Sequence, residues 1–227
     1  MKDRILLVLA LVAAGILFWN MHTIFLEVPD EANQGPIFRI IYFHVPAAIL
    51  ALCGFGIGLA FSLIYLKTGN LRWDGIAEGV TEVSLVFASI TLITGSIWGK
   101  IIWGVWWAWD ARLTSFLIAW LIFAGYLMLR RAIEEPVQRA RLSAVVSVFG
   151  TVNAYVVWKS IEWFRTQHPG PVLSVRSGGG MAPGMEAPLG WNLLALFCIS
   201  IMLVMVRQQQ AGIAREIDTL RRTAHSF

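Results

Sequence analysis

Trp98–Arg112 reads WGKIIWGVWWAWDAR and lies between two long apolar runs. Five of the chain's eleven Trp fall in these fifteen residues: Trp98, Trp103, Trp106, Trp107 and Trp109. On a helix advancing about 100° per residue, Trp103, Trp106, Trp107 and Asp110 share one face. As an extended strand the aromatics split between two faces. Gly99 and Gly104 allow the backbone to bend or another group to approach. Two readings fit. One is an interfacial aromatic belt, since indole has an apolar body and a polar N–H. The other is a shelf for a large, flat, apolar ligand, because a belt accounts for two or three indoles rather than five.

Working outward, composition makes this a polytopic membrane protein: 14% of residues are charged, 57% are hydrophobic, and the mean hydropathy is +0.67. The net charge of +4 calls for no nucleic-acid partner, because the distribution of the cations explains it. Cys53 and Cys198 sit inside apolar runs, with no C-x-x-C pair and no haem-attachment motif. Also missing are a P-loop, G-x-S-x-G, H-E-x-x-H and zinc-spaced Cys/His clusters.

Six apolar segments are expected to span the bilayer, at 5–26, 44–66, 79–98, 113–129, 142–161 and 189–206, each near the ~20 residues that a hydrocarbon core requires. The chain thus reads as one all-α integral membrane domain over 1–227, with a Trp-rich segment at 98–114. The first span could pass for a signal peptide, but it is long for one and no small-x-small site follows. Pro46 is expected in the first turn of the second span, where helices tolerate proline, with His44 at the helix start. The Ser177–Gly180 run reads as a flexible part of the 162–188 loop.

With six spans the termini share one side. That side carries Lys2, Arg4, Lys67, Arg72, Arg130, Arg131, Arg139, Arg141, Arg207, Arg215, Arg221 and Arg222. The other carries Arg39, Lys100, Arg112, Lys159, Arg165 and Arg176. Twelve against six makes both termini cytoplasmic. The 27–43 loop, the Trp-rich loop and the loop bearing His168 then share the outer face.

Taken singly, His44 and His168 are weak evidence; over an indole shelf they are stronger. Haem is the common flat apolar ligand that also takes two axial imidazoles. His22 is a rival ligand, whereas His225 falls on the cytoplasmic side. Arg39 and Arg112 are candidates for pairing with the propionates, or are ordinary loop charges. Asp110 could orient an indole or Arg112. Asn153 reads as hydrogen-bond glue between helices, and Glu82 as a residue reaching the cytoplasmic surface.

The run Trp103-Gly104-Val105-Trp106-Trp107-Ala108-Trp109-Asp110-Ala111-Arg112-Leu113-Thr114 resembles the "WWD" signature of haem-handling proteins of cytochrome c biogenesis. With six spans and Arg39-Ile40-Ile41-Tyr42-Phe43-His44-Val45-Pro46-Ala47-Ala48, the chain is similar to the cytochrome c maturation protein C (haem exporter protein C) family over essentially its whole length. The resemblance implies non-covalent, transient binding of haem b at the periplasmic face of the bacterial inner membrane. Its implied axial ligands are His44 and His168, with the WWD segment against the macrocycle. Implied partners are a periplasmic haem chaperone (cytochrome c maturation protein E), an ATP-binding-cassette (ABC) transporter pair (maturation proteins A and B), and a small membrane protein (maturation protein D). On this reading the chain is not an enzyme. The alternatives are a b-type haem oxidoreductase and a haem permease subunit.

Overall fold

The computed structural model describes residues 2–170, 181 and 184–224; Ser177–Gly180, Arg176 and His225 lie outside them. Six long helices form the fold: α1 Lys2–His22, α2 Ile41–Thr68, α3 Leu71–Trp103, α4 Ala111–Ala132, α5 Pro136–Trp163 and α6 Glu186–Ala224. Each includes a stretch long and apolar enough to cross a membrane, and no β-strand occurs among the described residues. The protein is a multi-pass, all-α membrane protein. Its helices overrun the expected spans, because the charged residues that flank the apolar stretches stay helical. Lys67, Arg72 and Asp74, expected in a loop, lie inside helices, leaving only Gly69 and Asn70 between α2 and α3.

Helix α2 is central, packing against α3, α5 and α6. Its contact with α3 is close because small residues face one another. A Cβ on Gly54 would fall 1.9 Å from Ser84 Oγ, and one on Gly58 2.6 Å from Thr81 Oγ1. Such a G-x-x-x-G stripe is the means by which helices approach in lipid, where hydrophobic burial gives no drive for association. The same antiparallel register carries the seam along to His44, which meets Gly95. Across the bundle, Phe55 stacks on Phe123 with centroids 3.7 Å apart, and Gly150 makes room for the Phe123 ring.

At the end of α3 and α4 remote from the Trp-rich loop, Arg130 makes a two-pronged ion pair with Asp74 at 2.7 and 2.8 Å and reaches Glu78 at 3.0 Å. This buried pair pins the two helices together. Glu82 pairs with Arg207 at 2.5 Å, and Asn153 donates to Ser115 O at 2.8 Å, joining α5 to α4.

One reading left open is decided, and one expectation needs correction. The Trp-rich segment is not a helix throughout: α3 stops at Trp103, Gly104 takes φ 77°, and residues 104–110 are non-helical. Trp103, Trp106, Trp107 and Asp110 therefore do not form a helical face. Pro46, for its part, is not in the first turn. A 3₁₀ turn at Pro36–Ile40 runs straight into α2 at Ile41, which places Pro46 inside the helix.

Candidate functional site

A cleft lies between α2, α3 and α4 beneath the Trp-rich loop. Apolar residues of α2 and α3 line it, together with Leu113 and Phe116 of α4, Trp98, Trp103 and Trp107, and the polar groups His44, Arg112 and His168.

Local geometry brings the indoles in. Trp103 folds back over Gly99, where a Cβ would lie 3.2 Å from its ring, and packs edge-on against Trp98 at 4.9 Å. Trp98 Nε1 donates to Gln34 Oε1 at 2.8 Å, tying the shelf to the 27–43 loop. Trp106 and Trp109 point away and are 60% and 78% exposed. The expected five-indole shelf is thus three indoles in the cleft, with two outside it.

The two histidines face each other across the cleft, with ring centroids 6.3 Å apart and planes at 33°. Their partners point to one tautomer for both. Thr94 has its hydroxyl 2.7 Å from Ile90 O, and with its proton given there its oxygen, 2.9 Å from His44 Nδ1, is placed to accept from the ring. His168 Nδ1 meets Pro169 O, which can only accept, at 2.8 Å. Both rings therefore carry the proton on Nδ1 and leave the Nε2 lone pair free, the outer-shell arrangement usual for metal-binding imidazole. Two imidazoles bound end-on to one ion would have their centres at this spacing: a metal–nitrogen bond of about 2.0–2.1 Å plus about 1.1 Å to the ring centre, taken twice, is about 6.3 Å. No group of three or more His, Cys, Asp or Glu that could hold a bare ion occurs among the described residues. Two imidazoles suit a metal whose other positions are filled by its own macrocycle.

Asp110 does something that the sequence did not reveal. Oδ1 caps α4 by accepting from Leu113 N at 2.8 Å. Oδ2 accepts from Thr166 Oγ1 at 2.5 Å and Gln167 N at 3.1 Å, while Thr166 Oγ1 accepts from His168 N at 3.1 Å. One carboxylate fixes both the start of α4 and the strap that carries His168. Burial pushes Asp110 upward, but these hydrogen bonds and nearby His168 outweigh it and hold the carboxyl below its usual range. Burial, then the Arg112 charge, lowers His168 to about 4, so its ring is neutral at pH 7.

Arg112 lines the cleft and donates to Val157 O at 3.3 Å. Arg39 does not reach it. Its guanidinium donates to Ile24 O and Val28 O, both at 2.8 Å, and pairs with Asp30. The chain leaves α1 through a single wide turn, Thr23–Glu27, and Arg39 takes up carbonyls around that exit. His22 pairs with Glu27 at 3.2 Å, outside the cleft.

The family model described as heme exporter protein C matches residues 1–223. Heme exporter protein C of Paracoccus denitrificans is 37% identical over 79% of this chain and 75% of its own length. The protein of that name from Escherichia coli K12 is 34% identical over 80% and 73%. That of Rhodobacter capsulatus is 34% identical over 86% and 81%. The chain belongs to the heme exporter protein C family.

Proposed function

We propose that this protein holds haem b non-covalently at the periplasmic face of the inner membrane and passes it to a periplasmic haem chaperone during cytochrome c maturation. The observation that carries the reading is the pair His44 and His168, facing at 6.3 Å with both Nδ1 atoms engaged and both Nε2 atoms free. Family membership and the names of the relatives support haem as the cargo. The excess of Lys and Arg in the loops flanking the termini supports cytoplasmic termini and an outward-facing cleft.

Each residue has a task on this reading. His44 supplies one axial nitrogen from a rigid helix, and His168 supplies the other from a strap that can swing away. Trp98, Trp103 and Trp107 offer flat apolar surface. Arg112 is the cation placed to pair with a propionate. Trp106 and Trp109, left outside, form an exposed rim where the chaperone (maturation protein E) would approach. A carrier must release what it binds, and one ligand on a strap tethered by Asp110 provides for release. ATP hydrolysis falls to a partner cassette protein, within an assembly that includes maturation proteins A, B and D.

The test is a transfer assay with sealed, right-side-out vesicles containing the purified protein. Haemin supplied outside is expected to load the protein and then to appear in a soluble apo-chaperone added outside. Haem accumulating in the vesicle lumen instead, or none reaching the acceptor, would overturn the reading.

A further inference from the structure

Proline lacks an N–H, so a proline inside a helix strips the donor from the carbonyl four residues earlier. In α2 that carbonyl is Tyr42 O, orphaned by Pro46, and His44 lies between the two. Tyr42 is fully buried, so water is not at hand to replace the donor. The replacement comes from another helix: Asn192 Nδ2 of α6 donates to Tyr42 O at 2.8 Å. A third helix sets the orientation of that amide. Asn20 Nδ2 of α1 donates to Asn192 Oδ1 at 2.7 Å and to Pro188 O at 2.8 Å. Because Asn20 presents N–H to one side of the Asn192 amide, only the carbonyl oxygen can face it, and the NH₂ must face Tyr42.

Both asparagines are fully buried, and neither lines the cleft. Ordinary glue would join one helix to another at any level. This relay instead ends on the one backbone carbonyl in α2 that proline leaves bare, two residues from His44.

We infer that Asn192, oriented by Asn20, is a positioning residue for His44: it closes the turn of α2 that Pro46 opens and so fixes the direction of the imidazole. The inference rests on the reading of His44 as an iron ligand, but the clamp itself can be tested without haem. The opening at Pro46 also explains why the clamp is needed. A helix with all its own hydrogen bonds would hold His44 unaided, whereas this one depends on α1 and α6.

The experiment is a double-mutant cycle on the full chain in lipid nanodiscs: wild type, Asn192→Leu, Pro46→Ala and the double variant. Amide hydrogen exchange of residues 41–50 is read on haem-free protein, and absorption spectra are read after loading with haemin. Asn192→Leu leaves Tyr42 O bare. It is expected to speed exchange in 41–50 about tenfold and to weaken the low-spin haem signal, as befits a buried acceptor without a partner. Pro46→Ala supplies the missing N–H, so in that background Asn192→Leu should change either readout by less than about twofold. Equal damage with and without Pro46 would mean lost packing rather than lost donation, and would overturn the inference; so would wild-type exchange and spectrum in Asn192→Leu. If Asn192→Leu does not fold, Asn20→Ser takes its place in the same cycle; it removes the orienting donor together with the bond to Pro188 O, and only the first of these losses should depend on Pro46. Failure of the wild type to take up haemin defeats the haem reading alone, and the exchange cycle still decides the clamp.

Discussion

Asp110→Asn separates the two tasks of one carboxylate. Asparagine is as good a helix cap as aspartate, so its carbonyl oxygen can keep the bond to Leu113 N that Oδ1 makes now. The NH₂ that replaces Oδ2 cannot accept from Gln167 N, and the Thr166 hydroxyl must turn to accept from it instead, so one tether of the His168 strap is lost and the other gives up its charge assistance. Charge-assisted bonds are worth roughly 1.5–3 kcal/mol each. At a half-exposed site water recovers part of this, so the change should loosen the closed strap by about 2 kcal/mol, about thirtyfold in the open fraction. Carbon monoxide binding to the reduced, haem-loaded protein reads that fraction, because the gas can enter only when His168 has left. Asp110→Asn should speed binding about thirtyfold while leaving thermal stability near wild type. Asp110→Ala should speed binding at least as much and in addition lose about 1 kcal/mol of cap. A rate within about twofold of wild type in Asp110→Asn would refute the tether.

Gly95→Ala places a Cβ 3.1 Å from His44 Cε1; moving the ring should cost about 1–3 kcal/mol and weaken haem retention about tenfold or more. Gly56→Ala, where a Cβ meets nothing, is the control and should not change it. Arg130→Met leaves Asp74 buried without its partner, so the unfolding midpoint in detergent should fall by an amount equivalent to about 3–5 kcal/mol, with most of it recovered in the Asp74→Leu/Arg130→Met double variant. The strap should also open as the pH falls. Released, His168 takes a proton near 6.5, whereas in place it resists to about 4. The closed form is therefore fully favoured above pH ~6.5 and loses ground down to ~4, by at most about tenfold per pH unit. Asp110, held below its usual range, keeps its charge through that window and does not offset the trend. Hydrogen exchange of residues 164–170 in haem-free protein, corrected for intrinsic rates, checks this.

Apolar runs of near-bilayer length made the six helices legible, and the charge count assigned loops to sides without any knowledge of contacts. The meeting of His44 and His168 could be expected from that topology together with the family resemblance. Other features depended on partners far away in the chain. Arg39 reads as a free loop cation, and nothing near it announces the carbonyls of Ile24 and Val28, about a dozen residues earlier, that claim it. Pro46 reads as a helix start only if the 3₁₀ turn before α2 is overlooked. Pro36 was the available signal for that turn, since proline is at home in the opening turn of a helix. The Gly54-x-x-x-Gly58 stripe was equally available, and it would have predicted the close α2–α3 seam that ends with His44 on Gly95. Asp110's hold on the strap could not be read, because Thr166 and Gln167 lie more than fifty residues away in an irregular segment.

The central claim is that His44 and His168 bind one haem iron from opposite sides. Its most direct measurement is the absorption spectrum of the haem-loaded protein, ferric and ferrous, beside His44→Ala, His168→Ala and His22→Ala, each with and without added imidazole. The account predicts a six-coordinate, low-spin spectrum in wild type and in His22→Ala. Each of the other two variants should lose the low-spin signal and regain it with imidazole. A low-spin spectrum that survives both substitutions without imidazole would contradict the account.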